Sequence, residues 1–364
     1  MKPVKATSVI MLSFLLLCPL GSVHGAVDQI ALFIPAFEGP GALGQNVATV
    51  LNLQIWQTFR RAPWPDNPNK LDFGKGLIVW DKEPLPSQSH TVAERAAMET
   101  LAQLVFWGKA YPYGGGVVVQ TNLSMPLYRD FRERRLEIWK VSYRGRSVAV
   151  DVPRRRLEMS SIVLKPEVVE KYSLPSSLKI YSDPSGRDPI GEVGDAFIAI
   201  QFEPGLAKVR SGQTTGWVRL PELGKRPSEV VDFVAGVVRT FRGDWEGAVS
   251  SMRRVVENPS TRTPLKADAY LYGGRALEQM GQTGRSMIEK AYRLNPFSQT
   301  AVRYLVMSDL SALERLGEAP GTEGEKSTII ERLSQIVVGN QYLFPQGDPW
   351  LQTVSALLEE MKSR

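Results

Sequence analysis

Apolar residues change their period several times along the chain. Residues 30–34, Ile-Ala-Leu-Phe-Ile, form an unbroken apolar run closed by Pro35, which predicts a strand buried on both faces. After a turn at Glu38 to Gly41, the apolar residues Leu43, Val47, Val50, Leu51, Ile55 and Phe59 recur every three or four positions, the period of a helix with one buried face. Prolines 63, 65 and 68 mark a loop. Residues 77–80 predict a second strand, and residues 91–106, with Val92, Ala96, Met98, Leu101, Ala102 and Val105, a second helix. Residues 117–123 and 136–143 predict further strands, with 147–152 as a hairpin partner. Strand and helix alternate over 27–165, the pattern of a sheet covered by helices.

The pattern shortens over 176–223. Strand-like runs at 178–181, 196–202, 206–210 and 216–220 are separated by turn chemistry at Asp183-Pro184-Ser185-Gly186, Ile190-Gly191-Glu192-Val193-Gly194, Glu203-Pro204-Gly205 and Ser211-Gly212-Gln213. Short strands with turns every 8–12 residues predict a small closed barrel. From residue 228 onward the helical period dominates. Residues 230–256 read as a helix pair turned at Gly243-Asp244-Trp245 and stopped by Asn258-Pro259. Residues 267–280 and 286–294 read as a second pair turned at Gly281, and 298–313 as the first helix of a third. Residues 327–338 and 350–361 predict closing helices within 314–364. The fold expected is multidomain α+β: an α/β sheet domain, a small all-β barrel and a helical solenoid.

Three stretches carry family resemblances. The run Ile34-Pro35-Ala36-Phe37-Glu38-Gly39, Leu43-Gly44 at the helix start, and Phe106-Trp107-Gly108 leading through Tyr113-Gly114-Gly115 into Val117-Val118-Val119-Gln120 resemble the α/β domain that begins the TolB, FlgO and CsgG-like envelope proteins. That resemblance implies a non-catalytic domain for assembly. Leu178-Lys179-Ile180-Tyr181, Ala207-Lys208-Val209-Arg210 and above all Gly216-Trp217-Val218 resemble the bacterial Src-homology-3-like domain, which implies binding of peptides or cell-wall glycan. In that final motif glycine permits close backbone approach and tryptophan brings a large area to bury. The helical region resembles the tetratricopeptide repeats, with Gly236, Gly243, Trp245 and Ala248 in one unit and Gly273, Gly274 and Gly281 in the next, over 228–313. Such stacks bury one continuous core and offer a concave face to peptide segments.

Composition narrows the chemistry. Lys2 and Lys5 precede a dozen-residue apolar run, short of the ~20 residues that cross a bilayer, and Val23 and Gly25 suit a cleavage site. Residues 1–26 therefore read as a signal peptide and the mature chain as exported to the periplasm, with no transmembrane helix left. Loss of the two lysines lowers the formal charge of +6 to +4. Cleavage also removes Cys18, the one cysteine, and His24, one of two histidines. Disulfides and cysteine chemistry are then excluded, and a histidine-dependent triad would need His90, which reads as a solvated residue at a helix start. No metal or organic cofactor is implied. Gly39-Pro40-Gly41-Ala42-Leu43-Gly44 lacks the lysine of a phosphate-binding loop and reads as a structural turn.

The functional expectation is a non-catalytic adaptor that holds envelope proteins, peptides or peptidoglycan. Its partner-binding candidates are Tyr181, Phe202, Trp217, Arg239, Tyr272 and Arg275. Arg154, Arg155 and Arg156 offer a contact for anionic membrane surfaces, while no basic stripe suggests nucleic acid. Two alternatives stand beside it: a glycan hydrolase using paired carboxylates, and a structural subunit of a secretion, motility or polysaccharide-export machine.

Overall fold

A computed structural model describes residues 32–61, 78–100, 102–126, 139–143, 145–171, 179–193, 196–203, 206–219, 228–317 and 319–363. The expected signal peptide over 1–26, the expected loop at prolines 63, 65 and 68 and the arginines between 129 and 135 lie outside the described residues. The chain is mixed α/β, with a large sheet followed by a helical region.

The sheet is built around β1 (Leu32–Ala36), which is buried along its whole length. Strands β2 (Ile78–Pro84) and β3 (Leu104–Tyr113) flank it in parallel, with Phe33 opposite Val79 and Leu32 opposite Leu104. Helix α1 (Leu43–Arg61) packs on this trio, with Val47, Leu51 and Ile55 fully buried. Helix α2 (His90–Thr100) precedes β3. Its helical pattern was expected to run to Phe106. The chain instead turns after Thr100, because residues 104–107 are large, apolar and buried on both faces, as an interior strand requires.

β4 (Gly116–Ser124) returns antiparallel to β3, and two short strands, β7 (Arg156–Glu158) and β8 (Ile162–Leu164), pair along its other edge. Between β4 and β7 the chain makes a separate hairpin, β5 (Trp139–Tyr143) and β6 (Arg146–Val150). A short α3 (Pro166–Lys171) follows.

The strands expected to close a barrel do something else. β9 (Lys179–Tyr181), β10 (Pro189–Glu192), β11 (Ala196–Glu203), β12 (Leu206–Ser211) and β13 (Thr214–Arg219) form an antiparallel ladder in the order β10-β9-β13-β12-β11. Its β11 edge pairs with β2, Ile198 opposite Val79, so the ladder extends the α/β sheet into one of eleven strands. Among the described residues no ladder runs from β10 back to β11. Residues 189–192, read as a turn, are the outermost strand. The reason lies in β2, whose free edge takes the strand that a closed barrel would keep for itself.

Seven helices complete the chain: α4 (Glu229–Arg242), α5 (Trp245–Glu257), α6 (Thr263–Gln279), α7 (Arg285–Leu294), α8 (Gln299–Leu316), α9 (Glu323–Asn340) and α10 (Pro349–Lys362). Gly243, at φ 71°, caps α4 in the left-handed region, and the Asp244 side chain then accepts from the Gly247 N–H to start α5. Successive helices pack on one another. Core residues of the sheet, of the β9–β13 ladder and of α4 fall in one apolar cluster, which includes Leu32, Leu51, Val209, Val218 and Phe233. No described helix is long and apolar enough to cross a membrane.

Candidate functional site

Between Ser124 and Arg156, which pair across β4 and β7, the described residues 139–143 and 145–155 form an arm whose hairpin lies on the helices. Its root is tightly made. Met125 N–H donates to the Arg155 carbonyl at 2.9 Å, and Arg155 donates to the Pro126 carbonyl and forks onto Asp151. Ser124 Oγ accepts from Trp107 Nε1 at 2.7 Å and lies 2.8 Å from His90 Nδ1. Arg156 forks onto Glu94 at 2.7 and 2.9 Å. His90 is thus a partly buried anchor, edge-on to Trp107, and not the solvated residue its sequence context suggested. Burial, then the nearby Arg156 cation, lowers its pKa and favours the neutral ring. Ser124 is fully buried, so the Ser–His contact offers no accessible nucleophile.

The hairpin at the arm's tip alternates cleanly. Trp139, Val141, Tyr143, Val148 and Val150 face inward, while Lys140, Ser142, Ser147 and Ala149 face out. A lone two-stranded hairpin is marginal in water, so this one depends on its cover. Its apolar face joins a core with Tyr304, Leu305, Leu357 and Met361 of α8 and α10. Trp139 meets Tyr304 edge to face at 5.3 Å, and Arg146 pairs with Glu360 at 3.0 Å. Five such buried side chains at about 1.5–3 kcal/mol each make this a fixed attachment.

The stretch 151–155 beyond the hairpin is held differently. Tyr304 Oη donates to the Asp151 carbonyl at 3.0 Å, and Thr300 Oγ1 to the Pro153 carbonyl at 3.4 Å. Arg154 pairs with Asp268 of α6 at 2.9 Å. Neutral hydrogen bonds of this kind contribute about 0.5–1.5 kcal/mol each. Asp268 is 6% exposed, and burial pushes its carboxyl up to about 6 against the pull of Arg154. Tyr272 and Tyr304 are buried beside it, both held well above the usual phenol range by burial. Tyr272 Oη reaches Met125 Sδ at 3.6 Å, and Arg275 hydrogen-bonds Tyr304.

These contacts revise the six partner-binding candidates. Arg239, Tyr272 and Arg275 are 2%, 0% and 1% exposed, so in this conformation no partner can reach them. Arg239 Nη1 donates to the Gly247 carbonyl and Ser251 Oγ, and Nη2 to the Thr58 carbonyl at the end of α1. Burial lowers its pKa to about 10, with Asp244 opposing, which leaves it charged at neutral pH. Tyr181 and Trp217 face one another across β9 and β13. Tyr181 is half-buried under the Arg219 guanidinium at 5.6 Å, and Trp217 is buried with Lys208 Nζ at 5.8 Å. Phe202 sits on β11 opposite Ala207, and its side chain lies outside the described residues. The arginines proposed for a membrane surface are engaged within the chain: Arg154 with Asp268, Arg155 with Asp151, Arg156 with Glu94.

Sequence reasoning missed Trp139, Asp268, Thr300 and Tyr304. One signal was available. Asp232 and Arg239 on α4 recur as Asp268 and Arg275 on α6, 36 residues later, each pair seven residues and two helical turns apart. A buried acid and base repeated on one helix face mark positions that must find partners.

Two concavities bear on the hydrolase alternative. One, of about 480 Å³ beside the β3–β4 turn, is lined by Leu43, Tyr113, Val117, Pro166 and Val169, with Glu170 as its carboxylate. The other, between α5 and α6, includes Glu246 and Glu257. Eleven residues on one helix place those two about 16 Å apart, beyond the ~5–10 Å of a glycosidase pair. Comparison of the chain with family models, characterised proteins and solved structures returns no match.

Proposed function

We propose that the protein is an exported, non-catalytic adaptor that holds protein or cell-wall partners in the bacterial envelope. One observation carries the reading. Helices α6 and α8, neighbours in the stack, hold an irregular stretch of chain, bent at Pro153 and Arg155, through its carbonyls and one charged side chain. That is the chemistry of peptide recognition by a helical array: main-chain contacts for affinity, one pocket for selectivity. The resemblance to tetratricopeptide repeats, to a Src-homology-3-like segment at 176–223 and to a TolB-like domain at 27–165 supports the same reading. Cleavage before Ala26 or Val27 would place it in the periplasm.

The test uses the chain without residues 1–26, incubated with isolated peptidoglycan and with envelope extract. Retention of a defined partner, with no soluble sugar or peptide fragments released, is expected. Release of fragments that one acidic-to-amide substitution abolishes would overturn it.

A further inference from the structure

We infer that the α6–α8 face recognises a non-helical, arginine-bearing protein segment, and that residues 151–155 of the same chain occupy it in the resting protein. The inference rests on the adaptor reading and names its ligand class.

Three features lead there. First, the contacts separate into general and selective ones. Tyr304 and Thr300 donate to carbonyls, which any non-helical segment presents, whereas Asp268 asks for a cation. A carboxylate this buried needs a counter-charge, and the Arg154 guanidinium supplies one at 2.9 Å. Second, the counter-charge comes from outside the helices. Arg154 belongs to the arm, and its side chain is 46% exposed, so it reaches Asp268 from the solvent side. Asp232, the equivalent acid on α4, is answered from within its own helix pair by Arg254 at 2.7 Å. In the second unit the acid is met by a segment outside the helices. Third, the arm is unequally anchored. Its hairpin buries five large apolar side chains against α8 and α10, but the stretch 151–155 buries Val152 and Pro153 alone. Residues 151–154 lie between two fixed points, the hairpin and the Arg155 root, and they alone leave the face, at the cost of lifting Val152 out of the sheet core. A competing segment then faces a tethered rival at high effective concentration, so the face is closed to weak ligands by default.

The probe is a fluorescent peptide with the sequence of residues 150–156, Val-Asp-Val-Pro-Arg-Arg-Arg, titrated into the full chain. Arg154→Ala in the protein weakens the resident segment, and the peptide should bind this variant about tenfold more tightly than wild type, equivalent to about 1.4 kcal/mol. Alanine in place of the peptide's first arginine, or Asp268→Asn added to the protein variant, should abolish the gain. Thr300→Ala is the second way to loosen the segment without touching a charge, should Arg154→Ala fail to fold, and a smaller gain in the same direction is expected. An Arg154→Ala or Thr300→Ala protein with wild-type circular dichroism that binds the peptide no better than wild type would overturn the inference. So would a gain indifferent to the peptide's arginine. Catalytic turnover alongside an intact tenfold gain would sink the adaptor reading alone.

Discussion

Helices α4 and α6 carry an acid and an arginine at the same spacing and put them to opposite uses. On α4, Asp232 is paired inside the unit, and Arg239 reaches across to the last turns of α1, tying the helices to the sheet. On α6, Asp268 meets the arm and Arg275 meets Tyr304 on α8. The same two positions thus fasten one unit to the body of the protein and open the next to a non-helical segment. A repeated sequence pattern fixes where charge is buried and leaves its partner to the neighbours.

The strongest way to break the contrast is Arg239→Ala. It would remove a buried guanidinium that donates to the Gly247 and Thr58 carbonyls and to Ser251 Oγ, and cost about 4 kcal/mol, read from denaturant midpoints at constant slope. The crossings inside the two helix pairs give the next test. A Cβ on Gly284 would overlap the Gly274 carbonyl oxygen, which is backbone and cannot swing aside. Gly284→Ala should therefore cost about 3 kcal/mol by forcing α6 and α7 apart. A Cβ on Gly236 would meet the Met252 methyl at 2.6 Å, the end of a flexible side chain. Gly236→Ala should change stability by under about 1 kcal/mol, since higher helix propensity offsets the crowding. Equal losses for the two variants would show that the crossings are alike.

The contrast can also be sharpened through pH. A carboxyl raised to about 6 binds its proton more tightly folded than unfolded, so Asp268 contributes stability below pH 3.8 that is lost as pH rises through about 6. The loss is about 3 kcal/mol. Asp309 is shifted the same way by burial, and His90 the opposite way. The readout is therefore the difference between the wild-type and Asp268→Asn profiles from pH 4 to 7. A flat difference would show that Asp268 is not desolvated.

The local elements were legible where one principle acted alone. The period of α1 gave Leu43 as its start, and the turn at Gly243 separated α4 from α5. The alternation over 139–150 gave a hairpin, though nothing in it said which helices would cover Trp139. Non-local pairing stayed hidden. The register of Ile198 on Val79 depends on an edge more than a hundred residues away, which no local pattern encodes. Burial of polar residues was equally opaque. Arginine and tyrosine on a helix ordinarily suggest surface, and only three-dimensional partners turn Arg239, Tyr272 and Arg275 into interior groups.

The bond between β2 and β11 also orders events in time. Ribosomes deliver residue 84 long before residue 196, so β1, β2, α1 and β3 can associate while the outer rim of β2 still lacks its mate. During that interval the nascent polypeptide presents unsatisfied amides beside Val79 and Trp80, and a stranger's strand could clip on there. Completing the sheet therefore awaits the later strands, and truncations that stop short of residue 203 should yield aggregates instead of an autonomous front half.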